Sequence, residues 1–265
     1  MKFSIITPVT YDKDNADELR MPRYKMFRRC ALSVDAQTYG DFEWVIADDM
    51  CNPPVELQNN FTKVIRLPEK SGRIIATNAA LKESTGEWLC FLDADDEYAN
   101  CYLEALADAI RLHPEHKVFN MNHLMFDYDY KTWTRKFINM EVQGDKPFPS
   151  GTIGMGAFIF HRSVLEDVGM LPELGLWELT DWAMEKYPEL KPFYAKNDGS
   201  GNYNSLGNPW GNDFLMFYMI TRKYPSKYLD TALYYVHSRW GHRWPDDPDY
   251  VVDPGKQPRW DPGNG

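Results

Sequence analysis

The chain has no apolar run approaching the roughly 18 residues that a membrane-spanning helix needs. Its amino-terminal apolar run, Phe3 to Val9, is too short for a signal peptide, so a soluble, cytoplasmic protein is expected. None of the four cysteines, Cys30, Cys51, Cys90 and Cys101, falls in a C-x-x-C pair. That spacing argues against zinc and predicts buried free thiols in a reducing compartment. Positive charge is also scarce: 29 basic residues against 39 acidic ones give a net charge of −10. Such a balance argues against a nucleic-acid or anionic-membrane surface, while leaving room for a local basic pocket. Neither G-x-G-x-x-G nor G-x-x-x-x-G-K-[ST] occurs, so the dinucleotide fingerprint and the phosphate-cradling loop are both missing. Any bound phosphate has to be held by a metal ion or by a few placed cations. Internal repeats and low-complexity tracts are missing too.

What is present is core-forming material. With 265 residues, 43% of them hydrophobic and 15% aromatic, the chain can bury one large core. Phe3 to Val9 reads as a buried strand closed by Pro8. From Arg23, residues Tyr24, Phe27, Ala31 and Val34 fall at helical spacing, and Gly40 follows the helix end. Strands are expected at Phe42 to Ala47, Lys63 to Leu67 and Trp88 to Leu92, with helices at Arg73 to Lys82 and Tyr102 to Leu112. This alternation predicts an α/β fold with a mostly parallel central sheet flanked by helices. The second half is less regular. Strands are expected at Val118 to Phe126, Lys136 to Val142 and Gly154 to His161, then a short helix over Arg162 to Val168 closed by Gly169. Pro172 to Gly211, rich in aromatic residues, glycine and asparagine, reads as an irregular binding loop or lid, and Phe214 to Ile220 as an apolar helix. The tail after Arg243 is rich in proline, aspartate and glycine.

Two groups of acids stand at predicted strand ends. Asp48-Asp49 ends one strand, and Asp93-Ala94-Asp95-Asp96 ends another. Side chains alternate along an extended chain, so Asp93 and Asp95 can point the same way and offer oxygen ligands to Mg²⁺ or Mn²⁺, which suits a diphosphate. A solvated acidic turn is the plain alternative. Position favours a site, because ligands of parallel α/β sheets bind beyond the carboxyl ends of the strands.

Taken in order, Ile6-Thr7-Pro8, the run from Ser33 to Asp49, and Asn78-Ala79-Ala80-Leu81 leading through Thr85-Gly86-Glu87-Trp88 to Asp93-Ala94-Asp95-Asp96 resemble family 2 of the GT-A glycosyltransferases. The resemblance covers roughly residues 3 to 105 and continues more weakly through Gly156 to Arg162 and Gly211 to Phe214. It implies a GT-A fold and a metal-dependent, inverting transfer of a sugar from a nucleotide diphosphate donor, a UDP-sugar foremost, to a hydroxyl of a glycan or glycosylated carrier. It further implies that Thr7, Pro8 and Val9 lie along the nucleoside, that Asp49 meets the base with Asp48 in support, and that Asn78 and Ala94 belong to the donor site. Asp93 would lie by the ribose or metal, Asp95 would ligate Mn²⁺ or Mg²⁺, and Asp96 would cap a helix. Asp213 matches the family's general base, with a plain helix cap as the alternative reading. His237 matches a histidine that many members bring to the metal or diphosphate, and Arg239, His242 and Arg243 could add positive charge.

Two departures stand out. Thr77 occupies the place where members often carry arginine, which makes Arg73, one helical turn earlier, the substitute for the diphosphate contact. Asn212 replaces the acid that often precedes the base. Residues 1–242 are expected to form one catalytic domain, 1–112 binding the donor and 113–242 the acceptor, with 243–265 as a tail. Trp177, Trp182, Tyr203 and Trp210 are candidates for stacking on acceptor sugars. A non-catalytic nucleotide- or carbohydrate-binding protein on the same fold is the competing reading.

Overall fold

The computed structural model describes residues 1–13, 23–57, 59–129, 134–140, 155–174, 176–190 and 211–237. Its elements are β1 (Phe3–Val9), α1 (Arg23–Asp35), β2 (Phe42–Asp48), β3 (Thr62–Arg66), α2 (Arg73–Glu83), β4 (Trp88–Phe91), β5 (Glu97–Tyr98) and α3 (Tyr102–Leu112). There follow β6 (Val118–Asp129), β7 (Thr134–Met140), β8 (Phe158–His161), α4 (Arg162–Val168), α5 (Leu176–Lys186), α6 (Gly211–Thr221) and β9 (Lys227–His237). The strands join one sheet in the order β3-β2-β1-β4-β8-β6-β9-β5, with β7 paired to β6. The first four are mutually parallel. Strand β8 runs antiparallel between β4 and β6, β9 lies parallel to β6, and β5 antiparallel to β9.

Apolar continuity explains the centre. β1 and β4 are buried along nearly their whole length, as parallel strands covered on both faces must be. Residues of β1 alternate between the two faces. Thr7 turns toward the α1 side, where its hydroxyl accepts a 2.9 Å hydrogen bond from the Trp44 indole and Trp44 packs on Phe27. Ile6 and Pro8 face the other way, into a pocket that Ile74 and Met216 also line.

The structure departs from the sequence-based expectations in the second half. Gly154 to His161 is not one strand: Met155–Ala157 form a 3-10 turn before β8. The turn packs against the Tyr234 ring, where a Cβ on Gly156 would come within 2.3 Å of Cε2, and Tyr102 donates to the Gly156 carbonyl at 2.8 Å. The segment expected to be irregular contains α5 and a 3-10 turn at Pro188–Leu190, while residues 191–210 lie outside those described. Strands β5 and β9 complete the sheet without having been expected. Among the described residues no helix is long and apolar enough to cross a membrane.

At the amino-terminal ends of β1 and β2, Glu43 ties three segments together. Its carboxylate accepts from Ser4 Oγ at 2.6 Å, Lys2 Nζ at 3.2 Å, the Gly86 N–H at 3.0 Å and, at closer range, the Thr85 N–H. Burial pushes the Glu43 carboxyl up, but the hydrogen bonds from Ser4, Thr85 and Lys2 outweigh it and hold the pKa at about 2 against an ordinary 4.5. Because the folded value is depressed, Glu43 stabilises the fold above its ordinary pKa, and this contribution is lost as pH falls from 4.5 toward 2. Glu43→Gln is expected to cost about 1–3 kcal/mol at neutral pH. Thermal melts should show that difference at neutral pH and a clearly smaller one near pH 3; an equal difference at both would show that the charge is not what matters.

Candidate active site

The carboxyl ends of β2 and β4 carry the two acidic groups, and the fold separates their members. Asp48 is fully buried and spent on its own loop. It accepts from the Cys51 N–H at 2.7 Å and the Val55 N–H at 3.1 Å and pairs with Arg66 at 2.7 Å. Its support of the site is therefore the shape of the loop 49–55. Asp49 turns toward α2, where its carboxylate accepts from the Ser71 N–H at 2.6 Å and the Gly72 N–H at 3.0 Å. Each carboxylate oxygen retains a second lone pair.

Gly72, at φ 85°, starts α2 in a conformation that favours glycine. The next residue, Arg73, reaches across to the end of β4, and its Nη2 donates to both Asp93 oxygens, at 2.8 and 3.1 Å. Arg73 and Asp93 both line the pocket, with Pro8, Thr77 and Asn78 beside them. Arg73 is thus placed among the donor-site candidates, although its partner in this structure is an acid. Asn78 lines the pocket wall too, yet it is buried and its amide donates to the Leu171 carbonyl at 2.8 Å and to Glu173. Thr7 and Val9 belong to the opposite face and the core; of the three β1 residues predicted to follow the nucleoside, only Pro8 reaches the pocket.

Beyond β4 the acidic turn is fastened to β9. Asp96 is buried; one oxygen accepts from the His237 N–H at 3.0 Å and the other from the Tyr234 hydroxyl. It caps no helix, contrary to the sequence-based expectation, because α3 starts only after Cys101 and β5 intervenes. Burial, and then the negative charges of Asp95 and Asp93, push the Asp96 carboxyl well above the ordinary carboxylate range. His237 lies in the same wall with its Nε2 2.6 Å from Glu97, which also pairs with Arg29 of α1. That contact turns its Nε2 to a carboxylate. Ala94 is half-buried against the core, and Asp95 is half-buried beside it.

Ligand oxygens of Asp93, Asp95 and Asp96 can all lie within 4.8 Å of one another; among the described residues this is the group of metal-ligating type. An all-oxygen donor set fits a hard divalent cation such as Mg²⁺ or Mn²⁺. His237 does not belong to the group. Asp213 is the third residue of α6, in its first turn, and its side chain lies outside the described part of the structure. So do the Trp177 side chain and residues Tyr203, Trp210, Arg239, His242 and Arg243. Trp182 of α5 is described: its ring lies 4.5 Å from Lys186 Nζ and edge-on to Tyr187.

The model of glycosyl transferase family 2 matches residues 20–169, more than half of the chain. The chain belongs to glycosyl transferase family 2. No curated protein sequence matches it. Among solved structures it is similar to S. aureus TarS residues 1–349 in complex with UDP, at a TM-score of 0.56 and 19% identity, covering 90% of this chain and 61% of that one. The same TarS fragment with UDP-GlcNAc gives a TM-score of 0.53 at 20% identity, covering 92% of this chain and 60% of that one. The chain therefore spans about three fifths of the TarS fragment it resembles, and at these identities the likeness concerns the fold, which is GT-A. Within this family 2 chain, Arg29 and Glu97 join the wall of the acidic turn without having been expected there. Glu97 follows directly on the acidic run and could have been read with it, whereas Arg29 meets it only through the packing of α1.

Proposed function

We propose that the protein is a metal-dependent, inverting glycosyltransferase that moves a sugar from a nucleoside diphosphate to a hydroxyl of a glycan or glycosylated carrier. The carrying observation is the convergence of Asp93 and Asp95 with Arg73 and Asp49 at the carboxyl ends of parallel strands, in a family 2 chain. A UDP-sugar is the first donor to test, because TarS, whose fold this chain shares, is seen with UDP and UDP-GlcNAc. Residues 1–112 form the donor half and 113–242 the acceptor half on this reading.

Each residue has a part in it. Asp49 accepts from the base, and Pro8 packs along the nucleoside. Asp95, with Asp93, would hold Mn²⁺ or Mg²⁺, which when bound would supply positive charge against that building on the departing diphosphate. Arg73 supplies a guanidinium to the same phosphates. Asp213 removes the proton of the acceptor hydroxyl, and attack opposite the leaving group inverts the anomeric carbon. Glu97 and Arg29 fix His237 and the end of β9 beside the acidic turn.

The test is a donor-hydrolysis and transfer assay with UDP-, GDP- and dTDP-sugars, with Mn²⁺, with Mg²⁺ and with chelator. Release of one nucleotide only in the presence of a divalent ion is expected. Absence of nucleotide binding, with no effect of metal, would overturn the enzyme reading. Proton NMR of the first product should show an anomeric configuration opposite to the donor's.

A further inference from the structure

We propose that Arg73 is a built-in counter-cation for the acidic turn, holding Asp93 until a nucleoside diphosphate arrives, so that divalent metal and donor are taken up together. This rests on the donor reading above. Arg73 Nη2 approaches both oxygens of Asp93, so the guanidinium faces one of the three acids able to converge on a cation. The pair is only part-buried, at 30% and 22% side-chain exposure, so exchanging its partners costs little desolvation. Arg73 is also tethered at the right place. It follows Ser71 and Gly72, whose N–H groups hold Asp49, so the first turn of α2 links the expected base contact to the acidic turn.

Charge arithmetic gives the sign. With the guanidinium in place, a divalent cation approaching Asp93 meets a like charge at roughly 5 Å; at an effective dielectric of about 80 between these partly solvent-exposed groups, this lowers its affinity on the order of tenfold. A diphosphate reverses the balance, since its oxygens offer the guanidinium bidentate partners as good as a carboxylate. Once Arg73 turns to the phosphates, Asp93 is released to the cation. The coupling is reciprocal: whatever factor the nucleotide adds to metal affinity, the metal adds to nucleotide affinity.

Two titrations on the wild-type protein, R73Q and R73K test this. The first follows Mn²⁺ binding by electron paramagnetic resonance without nucleotide; the second measures UDP affinity, or that of whichever diphosphate the donor panel selects, by calorimetry with and without Mn²⁺. R73Q is expected to bind Mn²⁺ alone about tenfold tighter than wild type, with the Mn²⁺ enhancement of nucleotide affinity reduced by a similar factor. R73K keeps the charge and should stay within about threefold of wild type in the first titration. Mn²⁺ binding by R73Q that is unchanged or weaker would overturn the counter-cation role, while the donor reading stands as long as wild type binds nucleotide in a metal-dependent way. Loss of metal-dependent nucleotide binding in wild type itself would remove the donor reading and this inference with it.

Discussion

Asp95→Asn should lower turnover by about a thousandfold or more at saturating donor, a loss of about 4 kcal/mol of transition-state stabilisation. The reason lies in how the turn divides its acids. Asp96 spends both oxygens on Tyr234 and His237, and Asp93 is paired with Arg73. Asp95 completes the group whose oxygens can converge within 4.8 Å, and replacing its charge by an amide removes an anionic oxygen from a donor set that suits a hard cation. Metal-dependent nucleotide affinity should fall at least tenfold by calorimetry, whereas the melting temperature stays within about 2 °C because Asp95 is only half-buried. Asp96→Asn is the informative contrast. Its damage should come through stability, since an amide cannot accept from both the Tyr234 hydroxyl and the His237 N–H with its two former oxygens. A variant at Asp95 that keeps full metal-dependent binding would move the metal contact elsewhere in the turn.

The first half of the fold was legible because its signals are local. β1, β2, β3, α2, β4 and α3 fall within about two residues of the bounds read from periodicity and turn residues, and α1 starts where expected at Arg23 but ends at Asp35, several residues before Gly40. Alternation separates neighbouring residues within them. Thr7, Pro8 and Val9 match a family block as a unit, but three consecutive strand residues cannot share a face, and only Pro8 reaches the pocket. Asp48 and Asp49 part for a related reason: one turns into its loop and the other toward α2. The second half depends on distant partners. β9 pairs with β6 through register shifts at Met121 to His123, so no clean alternation marks it in the sequence. His237 was visible as a family position, but its carboxylate partner Glu97 lies on β5, a two-residue strand with no sequence signature of its own.

Asp213→Asn should lower kcat by about a thousandfold while leaving metal-dependent donor affinity within about twofold. A base contributes only in the transition state, so its loss appears in kcat and in kcat/KM together and not in ground-state binding. Substitution by the isosteric amide keeps size and backbone propensity but cannot take the acceptor's proton. The position has a competing use. Asp213 is in the first turn of α6, where an acid favours the helix dipole by about 0.3–1 kcal/mol. That structural share predicts a melting shift of about 1–4 °C and no more. The two roles thus separate in measurement. Chemistry predicts a large kcat effect with a small melting shift. A purely structural acid predicts a larger melting shift, with donor affinity and turnover falling in parallel. Asn212 sharpens the comparison, because the residue beside Asp213 is an amide and cannot take a proton in its place. Residual activity of Asp213→Asn should accordingly approach that of donor hydrolysis by water, and an acceptor titration should no longer raise it.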